Sequence, residues 1–567
     1  MCVPRFDGAP VFGRLVGGPQ AGTFRISPAT RSQAGDRRYH PGSVTLETSW
    51  NTTGGRLLLI DGMVAELGGR LLPSTLLVRR LSVEGEPANV NVEFDPRLGE
   101  QHRRPRVRHR GDILVCDWGS TAVGVQANHA LRLEPGRPFE LTVFPGHPVT
   151  IVLAVADREP LVDVDPDRAW ALLLEDQSRW QDWSEAIPPG VPYRKAVARS
   201  LLTLRLLTYS PSGAPVAAPT TSLPEDRGGV RNWDYRFAWP RDASIGIGAF
   251  LGVGKTEEAR LFMAWLLHAS RLDRPRLPVL LTLAGRHPLP ERELHGWPGY
   301  AGSAPVRVGN GAANQHQLDG YGWVLDAAWL LTQSGHRLYS ETWRALGGFA
   351  DYVAKHWTEP DAGIWEIRGD YAHHVHSKLM GWLALDRALT IADKLDVPAR
   401  RRRRWQTSLD SLASEVTDFG FDEQRGSYTR SYGSTDLDAA LLVLPLLGIE
   451  PPDSPRIRGT IAAIRDELGA GGPLLYRYPP GQDGLLGTEG AFLPCSFWLV
   501  QALAKTGQNE AASHLFAELL EFATPLGLFG EEIDPATGLH LGNFPQALSH
   551  AALVQAALAL QPTRTRV

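Results

Sequence analysis

Cysteine is scarce in this chain of 567 residues, which contains only Cys2, Cys116 and Cys495. The three residues are widely separated, form no CxxC pair and are odd in number. The sequence therefore predicts neither a disulfide framework nor a zinc site. So few thiols fit a reducing compartment, and we expect a cytoplasmic protein.

Long apolar runs are also missing. No stretch of about eighteen apolar residues, the length that a membrane span needs, occurs in the sequence. The first residues, MCVPRFDGAP, lack the charged and apolar regions of a signal peptide. Membrane insertion and classical secretion are therefore not predicted.

Charge of either sign is limited, with 21% charged residues and a net charge of -4. The basic runs at 103–110 and 400–404 are not interleaved with aromatic residues, so no nucleic-acid partner is predicted. Tryptophan, by contrast, is abundant, with 17 residues. Because sugar rings stack on aromatic faces, this composition hints at a small neutral ligand.

The pattern of apolar residues changes near residue 160. Before it, short alternating or β-branched runs are separated by Gly, Pro and Asp clusters, which predicts an antiparallel β-sandwich over 1–160. A linker helix is predicted over 161–192. Long amphipathic segments then predict an all-α domain over 193–567.

About twelve helices are predicted in the second part. They lie near 194–210, 241–252, 255–271, 313–334, 339–357, 373–393, 398–417, 435–447, 453–468, 490–506, 508–523 and 545–560. Short and long connections alternate, so all long loops are expected at one end of the helical domain. This predicts a closed (α/α)6 barrel with a cleft at its loop-rich end. An open solenoid is the alternative, although no fixed repeat supports it.

Two carboxylates lie in these long loops. Glu366 follows Trp365, and apolar neighbours would raise its pKa toward that of a general acid. Glu489 lies at or just before a helix start, where the helix dipole favours an ionised base. Taken alone, Glu366 is better explained as a surface glutamate, and Glu489 as an ordinary helix-start glutamate. Two carboxyl groups across one cleft, however, are the minimal machinery of glycoside hydrolysis, and a separation of about 6.5–9.5 Å predicts inversion.

The segment 231–242 mixes aromatic rings with charged side chains. In a sugar site, Arg241 and Asp242 would bind hydroxyl groups, and Trp239 would form a stacking wall. A loop held by Arg–Asp pairs under aromatic cover is an equally good explanation. The histidines at 373, 374 and 376 have no second group of ligands at metal spacing, so no metal site is predicted.

Six segments in a fixed order identify a family. They read RNWDYRFAWPRDAS, GYAGSAPVRVGNGAANQHQLDGYG, GIWEIRG, HSKLMGWLALDRA, EGAFLPCSFWL and GLFGEEIDPATGLHLGNFPQALSH. Together they resemble a bacterial member of glycoside hydrolase family 15, which includes glucoamylases, glucodextranases and trehalases. Family members have a further stretch before CVPRFDG, so we expect one β-strand of the first domain to be missing here.

This resemblance implies a β-sandwich followed by an (α/α)6 barrel, and inverting release of β-glucose from a non-reducing end. It implies Glu366 as the acid and Glu489 as the base. Further residues are implied to bind the sugar: Arg241, Asp242, Trp239, Trp365, Lys378 and Trp382.

The sequence predicts the reaction but leaves more than one substrate open. We favour an exo-acting hydrolase of α-linked gluco-oligosaccharides, with an α,α-trehalase as the alternative and a non-catalytic carbohydrate-binding toroid as the alternative outside enzymes. The partner is then a small α-glucosyl oligosaccharide or disaccharide. No cofactor is expected for the reaction, although a trehalase of this type would allow phosphate or magnesium dependence. The sequence predicts no oligomeric state.

Overall fold

The structure, a computed structural model, describes residues 1–30, 34–67 and 70–561, without the side chains of 65–74. Backbone contacts divide the chain into two compact units. The first comprises Met1–Ile187 with Gly296–Tyr300, and the second comprises Pro188–His295 with Ala301–Val567. The helix predicted as a linker over 161–192 has most of its length in the first unit.

The first unit is built from antiparallel strands, as predicted. Its strands are β1 (Thr23–Pro28), β2 (Asp36–Tyr39), β3 (Leu46–Thr52), β4 (Gly55–Leu67), β5 (Arg70–Gly85), β6 (Ala88–Asp95), β7 (Arg106–Arg110), β8 (Ile113–Asp117), β9 (Thr121–Ala127), β10 (Phe139–Val143) and β11 (Val149–Asp157). Its helices are the short α1 (Arg14–Gly17) and the long α2 (Pro166–Glu185).

These strands form two sheets around one apolar core. An eight-stranded sheet has the order β2-β3-β4-β5-β11-β9-β8-β7, and a three-stranded sheet has the order β1-β6-β10. In β6 every second residue is buried, and Val90, Val92 and Phe94 join Ile151 and Leu153 of the larger sheet in the core. The alternation follows from the two-residue period of a strand that buries one face.

Helix α2 covers the other face of the larger sheet. It begins after Asp165, whose carboxylate accepts a hydrogen bond of 2.9 Å from the Arg168 amide. Such a cap satisfies one of the free amides at a helix start. Leu173 packs against β4 so closely that a Cβ on Gly62 would lie 2.4 Å from its Cδ1. Strand β11 is consequently buried on both faces.

The second unit is mainly helical, which confirms the predicted change in fold class. Its helices are α3 (Arg194–Leu206), α4 (Pro240–Gly252), α5 (Thr256–Ala269), α6 (Asp319–Gln333), α7 (Ser340–His356), α8 (Val375–Ala392), α9 (Ala399–Gly420), α10 (Leu444–Leu447), α11 (Pro455–Glu467), α12 (Leu493–Lys505), α13 (Asn509–Leu520) and α14 (Ala547–Ala559). A 3₁₀ turn, Ala439–Val443, leads directly into α10.

The helices of this unit pack in a cycle. Helix α4 contacts α6, α6 contacts α8, and α8 contacts the 3₁₀ turn before α10. That turn contacts α12, α12 contacts α14, and α14 returns to α4. The helices α3, α5, α7, α9, α11 and α13 each pack on a member of this cycle. Every second helix along the chain therefore belongs to the cycle, and the others contact it.

Short strands shape the connections of the helical unit. They are β12 (Thr208–Tyr209), β13 (Ala214–Pro215), β14 (Thr221–Pro224), β15 (Asn232–Asp234), β16 (Arg292–Leu294), β17 (Val306–Val308), β18 (Phe421–Asp422), β19 (Ser427–Tyr428), β20 (Gly469–Gly471), β21 (Leu474–Leu475), β22 (Ala491–Phe492), β23 (Glu532–Ile533) and β24 (His540–Leu541). The helix predicted from 490 begins only at Leu493, because 491–492 pair with β23 instead. Among the described helices, none is long and apolar enough to cross a membrane.

We expect Leu173→Ala to destabilise the first unit by about 2–5 kcal/mol, since the side chain is 1% exposed and its loss leaves a cavity. Leu174→Ala is the matched control, because Leu174 is 45% exposed and its truncation changes stability by about 0.5 kcal/mol or less. Hydrogen exchange of β4 and β5 amides in urea measures this unit by itself. Equal protection in both variants would contradict the packing of α2.

Candidate active site

Two neighbouring cavities lie in the helical unit and share four lining residues. These residues are Tyr235, Trp365, Glu366 and Arg477. Cavity A is further lined by Trp239, Arg241, Asp242, Ile364 and Glu531, among others, and cavity B by Glu225, Arg231, Trp233, Arg368 and Asp483, among others. Their volumes, counted to the open mouth, are about 440 Å³ and 520 Å³.

Glu366 belongs to both cavities. It lies in the connection between α7 and α8, and its φ of 60° is in the left-handed region. A non-glycine residue costs roughly 1–2 kcal/mol there, and such strain is concentrated at functional sites. The Trp239 ring nitrogen donates a hydrogen bond of 2.7 Å to Glu366 Oε1, and Arg241 Nη1 lies 3.6 Å from the same oxygen.

The surroundings of Glu366 favour its protonated form. Burial raises the pKa of this carboxyl above its ordinary value, while Arg241 and the hydrogen bond from Trp239 act in the opposite direction. Burial is the larger effect because it removes the water that would stabilise the anion. A carboxyl group of this kind keeps its proton to higher pH, as a general acid must.

Arg241 and Asp242 lie in the first turn of α4, where Pro240 fixes the helix start. Arg241 Nε donates to Asp242 Oδ1 at 2.8 Å, and its Nη1 donates to the Ile364 carbonyl oxygen at 2.9 Å. The guanidinium thus connects α4 with the loop of Glu366. The predicted residues Trp239, Arg241, Asp242, Trp365 and Glu366 are therefore brought together in cavity A.

Two further predicted residues do not line either cavity. Lys378 is in the first turns of α8, and its Nζ donates to the carbonyl oxygens of Trp357 and Glu359, the second at 2.9 Å. The carbonyls at a helix end lack helical donors, so Lys378 satisfies the end of α7. Trp382 lies one turn later on the same face of α8 and is likewise buried.

Glu489, the predicted base, is bound on both carboxylate oxygens. Oε1 accepts hydrogen bonds from Arg231 Nη1 at 3.1 Å and from the Tyr478 hydroxyl. Oε2 accepts one from Arg477 Nε at 2.6 Å. Arg231 also binds Asp483 through both terminal nitrogens, so these groups form one ion-pair network. Glu489 is not among the residues that line either cavity, whereas its partners are.

A different carboxyl, that of Glu531, lines cavity A together with Glu366. Its Oε1 accepts a hydrogen bond of 2.7 Å from the Tyr235 hydroxyl. Burial raises the pKa of Glu531 to about 7, against the opposing effect of Arg477. Sequence reasoning missed this residue, although it stands in the quoted segment GLFGEEIDPATG. The signal that could have identified it is its position in the last long connection, between α13 and α14.

Arg477 is surrounded by buried carboxyl groups. Its Nη2 lies 3.7 Å from Glu225 and 3.9 Å from Glu532, in addition to the contact of its Nε with Glu489. Burial raises the pKa of Glu225 to about 8 and that of Glu532 well above its ordinary value, while Arg477 lowers both. Removing this guanidinium would leave the carboxylates without their shared counterion.

Comparison with known proteins identifies the family of this chain. The family described as "Glycosyl hydrolases family 15" matches residues 191–558, and "Trehalase-like, N-terminal" matches residues 1–123. The chain belongs to glycosyl hydrolase family 15. This confirms the resemblance found in the sequence, and the protein is a glycoside hydrolase.

Curated relatives of this family 15 enzyme are trehalases. One from Mycolicibacterium smegmatis is 37% identical, over 98% of this chain and 87% of the relative. Another, from Mycobacterium tuberculosis, is 37% identical over 98% of this chain and 85% of the relative. A solved bacterial glucoamylase complexed with acarbose shares the fold, with a TM-score of 0.68 at 14% identity, over 95% of this chain and 85% of that one.

No group of three or more His, Cys, Asp or Glu side chains within the described residues of the family 15 enzyme is placed to hold a metal ion. His376 is buried, and burial lowers its pKa to about 3. The histidines near the start of α8 are therefore part of the packing around that helix start.

We expect Arg231→Met to lower the free energy of unfolding by about 3–5 kcal/mol, because Asp483 and Glu489 would keep buried charges without this partner. Arg260→Met is the control, since Arg260 pairs with Glu257 at an exposed site and contributes about 0–1 kcal/mol. Urea unfolding of both variants measures the difference. Similar losses would show that the buried network does not stabilise the helical unit.

Proposed function

We propose that this enzyme is an inverting α,α-trehalase that hydrolyses trehalose to two glucose molecules. The observation that carries the proposal is the 37% identity to trehalases across 98% of the chain. The exo-acting oligosaccharide hydrolase that the sequence favoured has less support than this alternative. The solved glucoamylase, at 14% identity, supports the fold alone.

The proposed fold of the catalytic unit is the (α/α)6 barrel. Its support is the contact cycle of α4, α6, α8, α10 with its preceding turn, α12 and α14, which would form the inner ring. The other six helices would then form the outer ring. The long connections that carry Glu366 and Glu531 would meet at one end of the barrel.

Glu366 is proposed as the general acid. As the bond between the anomeric carbon and the glycosidic oxygen breaks, its proton would pass to that oxygen, which leaves with the second sugar. Its membership of both cavities supports this role, since the scissile bond must lie between two sugar rings. Burial raises its pKa, which favours the protonated form that a general acid needs.

Glu531 is proposed as the general base that takes a proton from the attacking water. It lines cavity A with Glu366, and Arg241 and Asp242 in the same cavity are suited to hold the hydroxyls of the attacked ring. A pKa of about 7 is close to the working range of a base. Glu489, the base implied by the sequence, remains the alternative, but both of its oxygens already accept hydrogen bonds. No cofactor is proposed for either step.

Substrate is tested by measuring glucose release from trehalose, maltose and isomaltose, each with and without phosphate and Mg²⁺. We expect trehalose to be cleaved fastest, and proton NMR to show equal amounts of α- and β-glucose among the first products. Faster cleavage of maltose or isomaltose would contradict the proposal and favour the oligosaccharide hydrolase. No cleavage of any sugar would favour a binding toroid.

The roles of the carboxyls are tested by comparing Glu366→Gln, Glu531→Gln and Glu489→Gln. Loss of a general acid or base lowers kcat by about 10²–10⁴-fold, so we expect that loss in the first two variants. The main effect of Glu489→Gln should be a lower free energy of unfolding, with a smaller loss of kcat than in the other two variants, since the change weakens the Arg231 and Arg477 contacts. A folded Glu531→Gln enzyme with normal kcat, beside an inactive but stable Glu489→Gln enzyme, would return the role of base to Glu489.

The pH profile of kcat/KM should respond to Trp239→Phe. The indole N–H stabilises the ionised form of Glu366, so its removal raises the pKa of that carboxyl. An acid works only while protonated, and the alkaline limb should therefore move to higher pH, by about one unit. Trp382→Phe, a buried change that touches neither cavity, is the control and should leave the limb in place. A downward or absent shift in Trp239→Phe would refute the assignment.

A further inference from the structure

Cavity B holds one acidic side chain that the rest of the site does not use. Glu225 follows β14 and closes a hairpin loop, where its amide donates to the Arg231 carbonyl at 3.0 Å. The residue is 1% exposed and lines cavity B but not cavity A. Among the described residues, none gives either of its carboxylate oxygens a hydrogen bond of normal geometry. Trp233 is a weak donor beside it, and Arg477 lies 3.7 Å away.

The other polar groups of cavity B are already bound. Arg231 and Asp483 pair with each other, and the Tyr478 hydroxyl donates to Glu489. The guanidinium groups of Arg307 and Arg368 lie over the Trp233 ring, at 4.7 Å and 4.5 Å from its centroid. These groups have little capacity left for a ligand. A buried carboxylate without hydrogen bonds is costly, and a ligand hydroxyl is the donor that it lacks.

The position of Glu366 assigns the two cavities to the two parts of the substrate. Cavity A contains Arg241, Asp242 and the proposed base, so the attacked ring belongs there. The acid lines both cavities, so the sugar that leaves on the protonated oxygen belongs in cavity B. This assignment rests on the proposed function.

We propose that Glu225 is a specificity-determining residue that accepts hydrogen bonds from hydroxyl groups of the leaving sugar. The enzyme then favours substrates whose leaving group is itself a hydroxylated ring. A substrate with a small leaving group leaves cavity B without a sugar and gains nothing from Glu225. Comparing activity on the two kinds of substrate therefore distinguishes loss of this contact from a loss of catalysis or of folding, which would affect both substrates.

The test compares trehalose with α-D-glucosyl fluoride, whose leaving group is a single fluoride ion. When both substrates are assayed above pH 8, where Glu225 is ionised, Glu225→Gln should lower kcat/KM for trehalose by about 10- to 100-fold, the effect of losing hydrogen bonds to a charged group. For the fluoride, we expect a change of less than about twofold, since no sugar fills cavity B. Glu225→Asp, which keeps the charge but withdraws it by one methylene, should show the same selective loss and serves if the glutamine variant folds poorly.

Glu532→Gln is the matched control. Glu532 is as buried as Glu225 and lies 3.9 Å from the same Arg477 nitrogen, but it lines neither cavity. It should therefore change both substrates to a similar extent. Equal losses on trehalose and the fluoride in the Glu225 variants, or the same selective loss in Glu532→Gln, would overturn the inference.

Failure of the proposed function gives a different result. If the unaltered enzyme cleaves maltose but not trehalose, the trehalase assignment fails, and the same comparison with maltose in place of trehalose decides the role of Glu225. A selective loss on maltose supports the leaving-sugar contact, and an equal loss on both substrates refutes it.

Discussion

The guanidinium of Arg477 is the charge on which both cavities depend. It lines each of them and faces the carboxyls of Glu225, Glu489 and Glu532, all of which are buried. Carboxylates taken out of water are stable only with a compensating charge or donor. Arg477 also lies over the rings of Trp365 and Phe492, at 5.8 Å and 5.1 Å, which hold it in place. A lysine would provide charge without this planar contact or the several donors of a guanidinium.

The two adjacent glutamates Glu531 and Glu532 have different surroundings. Glu532 is in β23 and accepts a hydrogen bond of 2.8 Å from the Gly490 amide, whereas Glu531, one position earlier, lines cavity A. Successive side chains of an extended chain point to opposite sides. The pairing of β23 with β22 and β24 thus fixes which carboxyl lies beside Arg477 and Gly490 and which lines cavity A.

Periodicity was sufficient to predict the fold class, because helices such as α9 bury one face and strands such as β6 alternate between buried and more exposed residues. Site residues next to a helix start, such as Arg241 and Asp242, were also predictable from the segment in which they occur. Glu489 and Lys378 show what could not be predicted from the sequence. Their positions in loops and helix starts are visible in the sequence, but their partners, Arg231 with Arg477 and the end of α7, are distant in the chain. Those long-range contacts decide which of several carboxyl groups is already paired with an arginine.

The Trp233 indole, with Arg307 and Arg368 over its ring, bears on how substrate range evolves in such a pocket. Two cations cover an aromatic surface that would otherwise attract sugar rings. Arg368 is 40% exposed, and its replacement by a small residue would uncover part of the indole, at the cost of the 2.6 Å ion pair with Glu291. A platform for an additional sugar ring would then appear in a single mutational step, and longer saccharides would gain a contact surface in cavity B.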